Sequence, residues 1–403
     1  MLKHMILLAL LCVSAAGFAK TNQLNQYEYK QVNSALSLIE QQQPQQAKRV
    51  LVKLEQTLKP LAARAYALAI TRLNLAQLAL SGDHYQQALH YYQLAVDSNT
   101  LEPAQLLQLM LVRAQLNLAL QHWAIGAELL ETWLSQAEPS SIAASHYQLL
   151  AQAKLQQQQW RAGAEAIERA ISMQKSATVP INWYQMAMVS RSQLSQWRLA
   201  IKWQKQLLSA EPKKMSHWYQ LAALLMQNKD EPAALASLRL AYQQGLFEKP
   251  SQYTLLSQLL IRQGNAYLAA QILEQAMQRG QLKRNKRYQS LLSQAWLLAK
   301  QQKQASAALA QLLKIDDSEA NLRQYAQLLL QQQQWNKALD VLQHLADKQA
   351  KVEPRLWLMM GIANIHLGQL SRAQQLIAKA ETDDKLRNES QVWLNYISQV
   401  QAG

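Results

Sequence analysis

Residues 82–95 read GDHYQQALHYYQLA, and this stretch decides the fold. Its large and small residues recur at intervals of three and four: Tyr85, Ala88, Tyr92 and Ala95. These intervals place all four side chains on one face of an α-helix. The small residues let a second helix backbone approach closely, and the large ones fill the space beside it. The stretch therefore predicts a helix that packs along another helix.

The same pattern returns along the chain with a mean period of about 36 residues. Its clearest marker is the small residue near the start of the second helix of each predicted pair. The marker occurs at ten positions: Ala47, Ala88, Gly126, Gly163, Ala200, Ala234, Ala269, Ala305, Ala338 and Ala373. The first helix carries a large residue and, four positions later, a small one, as in Trp218 and Ala222. Each pair alone leaves an apolar face bare, so the pairs are stable only when stacked.

This pattern resembles the tetratricopeptide repeat (TPR), and Ala88, Tyr92 and Ala95 match its consensus best. The resemblance covers roughly residues 30–382. It implies an all-α fold, a right-handed α-solenoid of about ten TPR-like helical hairpins with a C-terminal capping helix. In the cap, Trp393, Tyr396 and Ile397 are expected to cover the last repeat, and the other face is expected to be polar.

Repeat length divides the chain into five predicted segments. They are a signal peptide (1–19), an N-terminal TPR-like hairpin (20–58), irregular longer TPR-like repeats (59–175), regular TPR repeats (176–384) and the capping helix (385–403). The composition suits helices throughout, because 61 residues are Gln and only 10 are Gly and 9 Pro.

The N-terminus is typical of an exported protein. Lys3 precedes a short apolar run, and Gly17 and Ala19 provide the small residues that signal peptidase reads. We predict cleavage after Ala19 and a periplasmic location. Cleavage removes Cys12, the one cysteine of the sequence, so the mature chain forms no disulfide.

The formal net charge is +15, from 41 Lys and Arg against 26 Asp and Glu. Such an excess often indicates nucleic acid. The predicted periplasmic address argues against nucleic acid and leaves an anionic membrane surface, acidic protein faces or cell-wall polymers. A solvated basic surface with no partner is the competing interpretation.

No enzyme signature is present in the sequence. The chain lacks a metalloprotease His-Glu-x-x-His motif, a Gly-x-Ser-x-Gly elbow and a phosphate-binding glycine loop. Its histidines are scattered over the repeats without ligand spacing on one helix face. The sequence therefore predicts a non-catalytic protein with no metal and no cofactor.

In solenoids of this kind the first helix of each hairpin lines the concave surface. The residue after its small position is glutamine in six of nine repeats: Gln77, Gln115, Gln152, Gln258, Gln294 and Gln327. A primary amide offers one acceptor and two donors, so these residues are candidates for holding an extended peptide by its backbone. The alternative is that glutamine here serves helix propensity and solubility alone.

Two further features are candidates for contact with partners. The first is a basic cluster between two hairpins, which is either a docking site or a solvated loop: Arg279, Lys283, Arg284, Lys286 and Arg287. The second is the pair Trp183 and Trp203, which the repeat consensus does not explain and which we expect to be exposed anchors.

Taken as a whole, the chain resembles the periplasmic TPR proteins associated with TonB–ExbB–ExbD energy-transduction systems. The resemblance implies an accessory that binds a TonB-type or other envelope protein during ligand uptake. Two alternatives stay open: a scaffold for outer-membrane, pilus or polysaccharide assembly, and a peptidoglycan-binding protein. The sequence does not indicate the oligomeric state.

Overall fold

The computed structural model describes residues 23–174 and 179–402. Over these residues it contains 21 α-helices, two short 3₁₀ turns and no β-strand. The helices form two compact units, which meet in sequence at Ala210 and Glu211. The predicted all-α fold is confirmed. The signal segment and the predicted boundary after residue 175 lie outside the described residues, and the division by repeat length stays a prediction.

The first unit contains five helical hairpins. In each hairpin an odd-numbered helix is followed by an even-numbered one, and we call them the first and second helix. The ten helices are α1 Gln26–Glu40, α2 Pro44–Leu58, α3 Ala65–Ser81, α4 Tyr85–Val96, α5 Pro103–Ala119, α6 Trp123–Gln136, α7 Ala144–Gln156, α8 Trp160–Met173, α9 Ile181–Gln193 and α10 Trp197–Ala210. Short 3₁₀ turns, Ala62–Arg64 and Pro139–Ser141, lie in two of the connections.

The second unit contains five more hairpins and a final single helix. Its helices are α11 Met215–Gln227, α12 Glu231–Gln243, α13 Pro250–Arg262, α14 Ala266–Gln278, α15 Lys286–Leu298, α16 Gln302–Leu313, α17 Glu319–Gln331, α18 Trp335–Asp347, α19 Pro354–His366, α20 Leu370–Ala380 and α21 Arg387–Ala402. Within each unit every hairpin packs against the next, as the repeat pattern predicts.

The small marker residues lie where the sequence places them. Each belongs to a second helix, eight are alanines with no exposed surface, and the other two, Gly126 and Gly163, are also buried. A larger side chain at these positions would push the paired helices apart. At Gly361 on α19 the approach is closest, because a Cβ atom there would overlap Cγ1 of Ile377 on α20 and lie 3.1 Å from its Cδ1.

All ten hairpin turns share one backbone geometry. Five residues before the marker, the chain adopts a φ between +54° and +77°. The next residue donates its N–H to the carbonyl five residues earlier, as in the bond from Gln159 to Lys154. Glycine occupies this left-handed position in only two of the ten turns: Gln42, Asp83, Gln121, Gln158, Ser195, Lys229, Gly264, Lys300, Gln333 and Gly368. Most turns therefore hold an L-residue in a strained conformation.

Replacing Gln158 by glycine is expected to stabilise the chain by about 0.5 kcal/mol. The left-handed conformation costs a non-glycine residue about 1–2 kcal/mol, and glycine loses about 0.5–1 kcal/mol through the greater freedom of its unfolded state. Urea denaturation of the full chain measures the difference. The reciprocal change Gly264→Gln should lower stability by a similar amount, and stabilisation in both variants would contradict this account.

A charged network holds the last two hairpins of the first unit together. Glu168 on α8 accepts hydrogen bonds at Oε1 from Nε of Arg191 on α9 and from Nε1 of Trp203 on α10, both at 2.8 Å, and at Oε2 from Nη2 of Arg191 at 2.5 Å. Burial alone raises the pKa of Glu168, but the bonds from Arg191 and Trp203, with the charges of Arg191 and Lys202, outweigh it. The pKa therefore lies below its ordinary value.

The prediction that Trp183 and Trp203 are exposed is wrong. Each is only 8% exposed. Trp203 stacks on Tyr184, with ring centroids 6.0 Å apart, and its one polar atom donates to Glu168. A hydrogen-bonded indole can be buried without cost to its N–H, so these rings stabilise the interior.

The final helix α21 caps the last hairpin through one face, and the other face differs from the prediction. Ile397 is fully buried, and Trp393 packs beside it. Tyr396, however, is 47% exposed, and it lies in a stripe with Val392 and Val400, spaced by four residues. The outer face is therefore partly apolar. Tyr396 cannot share the face of Ile397, because neighbouring helix positions point about 100° apart.

Candidate peptide-binding surface

The six predicted glutamines all lie on first helices. Gln77, Gln152, Gln258, Gln294 and Gln327 are exposed, and Gln115 is half-buried. They follow small residues that pack inside, such as Ala151 before Gln152. Their amides are therefore available to a ligand, although this placement alone does not separate binding from solubility.

The structure divides the glutamines into two rows. Gln77, Gln115 and Gln152 lie on α3, α5 and α7, which belong to three consecutive hairpins of the first unit. Their counterparts in the second unit lie on α13, α15 and α17: Gln258, Gln294 and Gln327. Between the rows, and after the second one, the equivalent positions are the apolar residues Val189, Ala223 and Ile362. Each row is therefore a separate candidate site within its own unit.

Local hydrogen bonds orient two of these amides. The Tyr92 hydroxyl donates to Oε1 of Gln77 at 3.2 Å, and Nε2 of Gln148 donates to Oε1 of Gln152 at 3.3 Å. Burial raises the pKa of Tyr92 to about 12, so its hydroxyl stays protonated and remains a donor to Gln77. At both residues the amide oxygen accepts from inside the protein, which leaves the NH₂ group to bind an outside carbonyl.

Three arginines share the faces of the second row, and sequence reasoning missed two of them, Arg262 and Arg323. Arg262 lies four residues after Gln258, Arg323 lies four residues before Gln327, and Arg287 lies seven residues before Gln294. Arg262 and Arg323 form ion pairs with acidic residues of a neighbouring helix or connection, at 2.9 Å each. The sequence contains a signal for these arginines: each is separated from its glutamine by four or seven residues, and such intervals place both side chains on the same stripe of a helix.

The basic cluster is exposed at all five positions. Arg279, Lys283 and Arg284 lie in the connection between α14 and α15, whereas Lys286 and Arg287 begin α15. The cluster is thus at the edge of the second unit, where hairpins are joined to one another. Only Arg287 also belongs to a helix face that carries a predicted glutamine.

Membrane spans and metal sites are absent from the described part of the chain. No helix within residues 23–174 and 179–402 has the length and apolar character needed to cross a bilayer. Across the same residues, no three His, Cys, Asp or Glu side chains converge in a way that could hold a metal ion.

No protein-family profile matches the chain, and no curated protein matches it. The solved structures that match it include TPR proteins. A tetratricopeptide repeat protein from Parabacteroides merdae is 14% identical, with a TM-score of 0.35, and covers 67% of this chain and 99% of its own. MamA is 13% identical, with a TM-score of 0.35, over 43% of this chain and 90% of MamA. YrrB, a TPR protein with an unusual peptide-binding site, is 13% identical, with a TM-score of 0.35, over 43% of this chain and 85% of YrrB. The repeat architecture rests on the helix pairs and their register, and not on these matches.

Proposed function

We propose that this chain is a non-catalytic scaffold that binds other proteins, and that each glutamine row holds an extended segment of a partner. The observation that supports it is the recurrence of an exposed amide at one register on three consecutive first helices, in both units. An extended peptide has unpaired N–H and C=O groups along its length, and primary amides can pair with both.

The size of a row sets the length of segment that it can hold. An α-helix is about 10–12 Å across, so three first helices side by side extend over roughly 20–30 Å. An extended peptide rises about 3.3 Å per residue. Six to nine residues would therefore reach all three amides of one row.

For the partner, we propose a TonB-type or other envelope protein in the periplasm. The signal-like segment 1–19 supports an exported location, and the resemblance to TonB-associated repeat proteins supports the partner. Linkers of TonB-type proteins are Pro-rich and extended, which is the shape that a row of amides can hold. Crosslinking in intact cells, followed by identification of the captured protein, tests this assignment. Capture of pilus or polysaccharide-assembly proteins instead would replace it.

Changing Gln258, Gln294 and Gln327 together to alanine is expected to weaken peptide binding by roughly 30-fold. Each lost hydrogen bond costs about 0.5–1 kcal/mol when the groups are accessible to water, and three of them cost about 2 kcal/mol. The measurement is fluorescence anisotropy with labelled Pro-rich peptides of four to ten residues. The triple variant of Gln77, Gln115 and Gln152 tests the row of the first unit in the same way.

A matched control removes three exposed glutamines from second helices of the same unit, at Gln275, Gln311 and Gln374. It loses the same number of amides and gains the same number of alanines, so helix propensity and solubility change equally. We expect it to bind as the unmodified chain does. If the row variant and the control lose peptide affinity equally, or if neither loses it, the rows are solvated surface and do not bind the peptide.

A further inference from the structure

The chain between α14 and the end of α16 is unusually basic. Residues 275–314 contain eight Lys and Arg and no Asp or Glu, in a protein where 41 Lys and Arg are mixed with 26 Asp and Glu. Five of the eight form the basic cluster at residues 279–287, and Lys314 lies at the next connection along the same edge.

The loop that carries the basic cluster is held in place from inside. Leu282 is 1% exposed, and its N–H donates to the Ala276 carbonyl at 3.1 Å. Asn285 caps α15, because its Oδ1 accepts from the Tyr288 N–H at 3.1 Å. With Leu282 buried and Asn285 capping α15, three of the cations are exposed on one defined loop and the other two on the first turn of α15.

Two acidic groups at the next connection, between α16 and α17, already have partners. Nζ of Lys286 lies 3.1 Å from Oδ2 of Asp316, which brings the α16–α17 connection against the loop. Asp317 pairs with Lys348 at 2.8 Å. Within the described part of the chain, four members of the cluster have no ion pair: Arg279, Lys283, Arg284 and Arg287. The edge therefore carries uncompensated positive charge.

Fold stability does not account for this charge. Lys286 and Arg287 occupy the first turn of α15, where the unpaired N–H groups already create a partial positive charge. Cations are disfavoured there and favoured at the other end of a helix. An apolar side chain lies next to the cluster as well, since Ile315 is 47% exposed beside Lys314.

The geometry points to a peripheral docking surface for an anionic lipid bilayer, formed by the basic cluster with Lys314 and Ile315. Clustered Lys and Arg bind anionic headgroups, and a neighbouring apolar side chain can enter the boundary between headgroups and acyl chains. A bilayer fits better than an acidic peptide because four of these residues, Arg279, Lys283, Arg284 and Lys314, lie on connections at the edge of the unit. A peptide would follow the first-helix faces instead.

The test is sedimentation of the full chain with vesicles at 0.1 M salt. Vesicles of phosphatidylcholine with 30% phosphatidylglycerol should bind the chain, and vesicles of phosphatidylcholine alone should not. The triple variant Lys283→Gln, Arg284→Gln and Arg287→Gln should bind about 100-fold more weakly, because each cation near an anionic surface contributes roughly a fivefold factor. Ile315→Ser should weaken binding by a smaller factor that persists at high salt.

A matched control removes three cations from the opposite edge of the same unit: Lys229→Gln, Lys300→Gln and Lys303→Gln. Lys229 and Lys300 are turn residues, and glutamine occupies the same turn position in other hairpins, so the fold should persist. Circular dichroism checks both variants. Absence of binding by the unmodified chain, or an equal loss in the control, overturns the proposal. Binding to poly-glutamate without binding to vesicles also overturns it, in favour of an acidic protein partner.

Discussion

Replacing Glu168 by alanine is expected to lower the free energy of unfolding by about 4 kcal/mol. The change leaves the Arg191 guanidinium, whose side chain is 11% exposed, without its carboxylate, and it removes the acceptor of the buried Trp203 indole. Removing one partner of a buried ion pair is costly because the other charge stays desolvated. Three helices from two hairpins meet at this carboxylate, so the loss should reach the whole end of the first unit.

Urea denaturation of the full chain measures the total effect, and hydrogen exchange localises it to α8, α9 and α10. Glu128→Ala is the control, because Glu128 is an exposed carboxylate on α6 of the same unit. It should cost less than about 1 kcal/mol, as exposed charges usually do. Similar losses in the two variants would show that the network adds nothing beyond net charge.

The same carboxylate gives stability a pH dependence. The pKa of Glu168 is lower in the folded chain than its ordinary value near 4.5, so the folded state favours the ionised form. The stabilisation is complete above pH 4.5 and is lost as the pH falls through the lowered folded-state pKa. The stability difference between the unmodified chain and Glu168→Gln should therefore shrink below pH 4.5.

Replacing Gly361 by leucine is expected to cost about 3 kcal/mol, because even a single Cβ at this position overlaps the fully buried Ile377. The paired helices α19 and α20 would have to separate or repack. Gly361→Ala should cost less, since its smaller overlap is offset by about 1 kcal/mol of helix propensity. Thermal denaturation and urea titration measure both changes.

A double-mutant cycle identifies the clash as the cause. Ile377→Ala alone should destabilise by about 2–5 kcal/mol through the cavity it creates. Combined with Gly361→Leu, it leaves room for the larger side chain, so the double variant should lose less stability than the sum of the two single losses, by more than about 1 kcal/mol. Simple additivity would mean that the introduced leucine side chain finds space without displacing Ile377.

The helical pairs were predictable because their signal is periodic. A small residue recurs ten times at nearly constant intervals, and each occurrence lies on a buried face near the start of a second helix. Close approach of two backbones permits nothing larger there, so the sequence records the constraint directly. The repeat pattern also identified the residue that follows the buried small residue of each first helix. Six of these residues are glutamines, and in the structure they are exposed or half-buried.

Features that depend on contacts between neighbouring hairpins were not predictable. The repeat consensus does not explain Trp203, and its buried indole N–H donates to Glu168, which lies 35 residues earlier in the chain. Tyr396 and Ile397 are neighbours in sequence with similar apolar character, yet only the packing of α21 decides which of them is buried.

By itself, the sequence determined that the chain folds into stacked helical hairpins, where the ten small residues at the close helix contacts lie, and which helices carry the amides. These are local properties, because helix periodicity acts over three or four residues and each hairpin meets its neighbour about 36 residues on. Only the tertiary structure decided that the array forms two units, that Trp203 is buried, and that Glu168 joins three helices. Such features depend on contacts between side chains of different hairpins, and the periodicity within one helix does not predict those contacts.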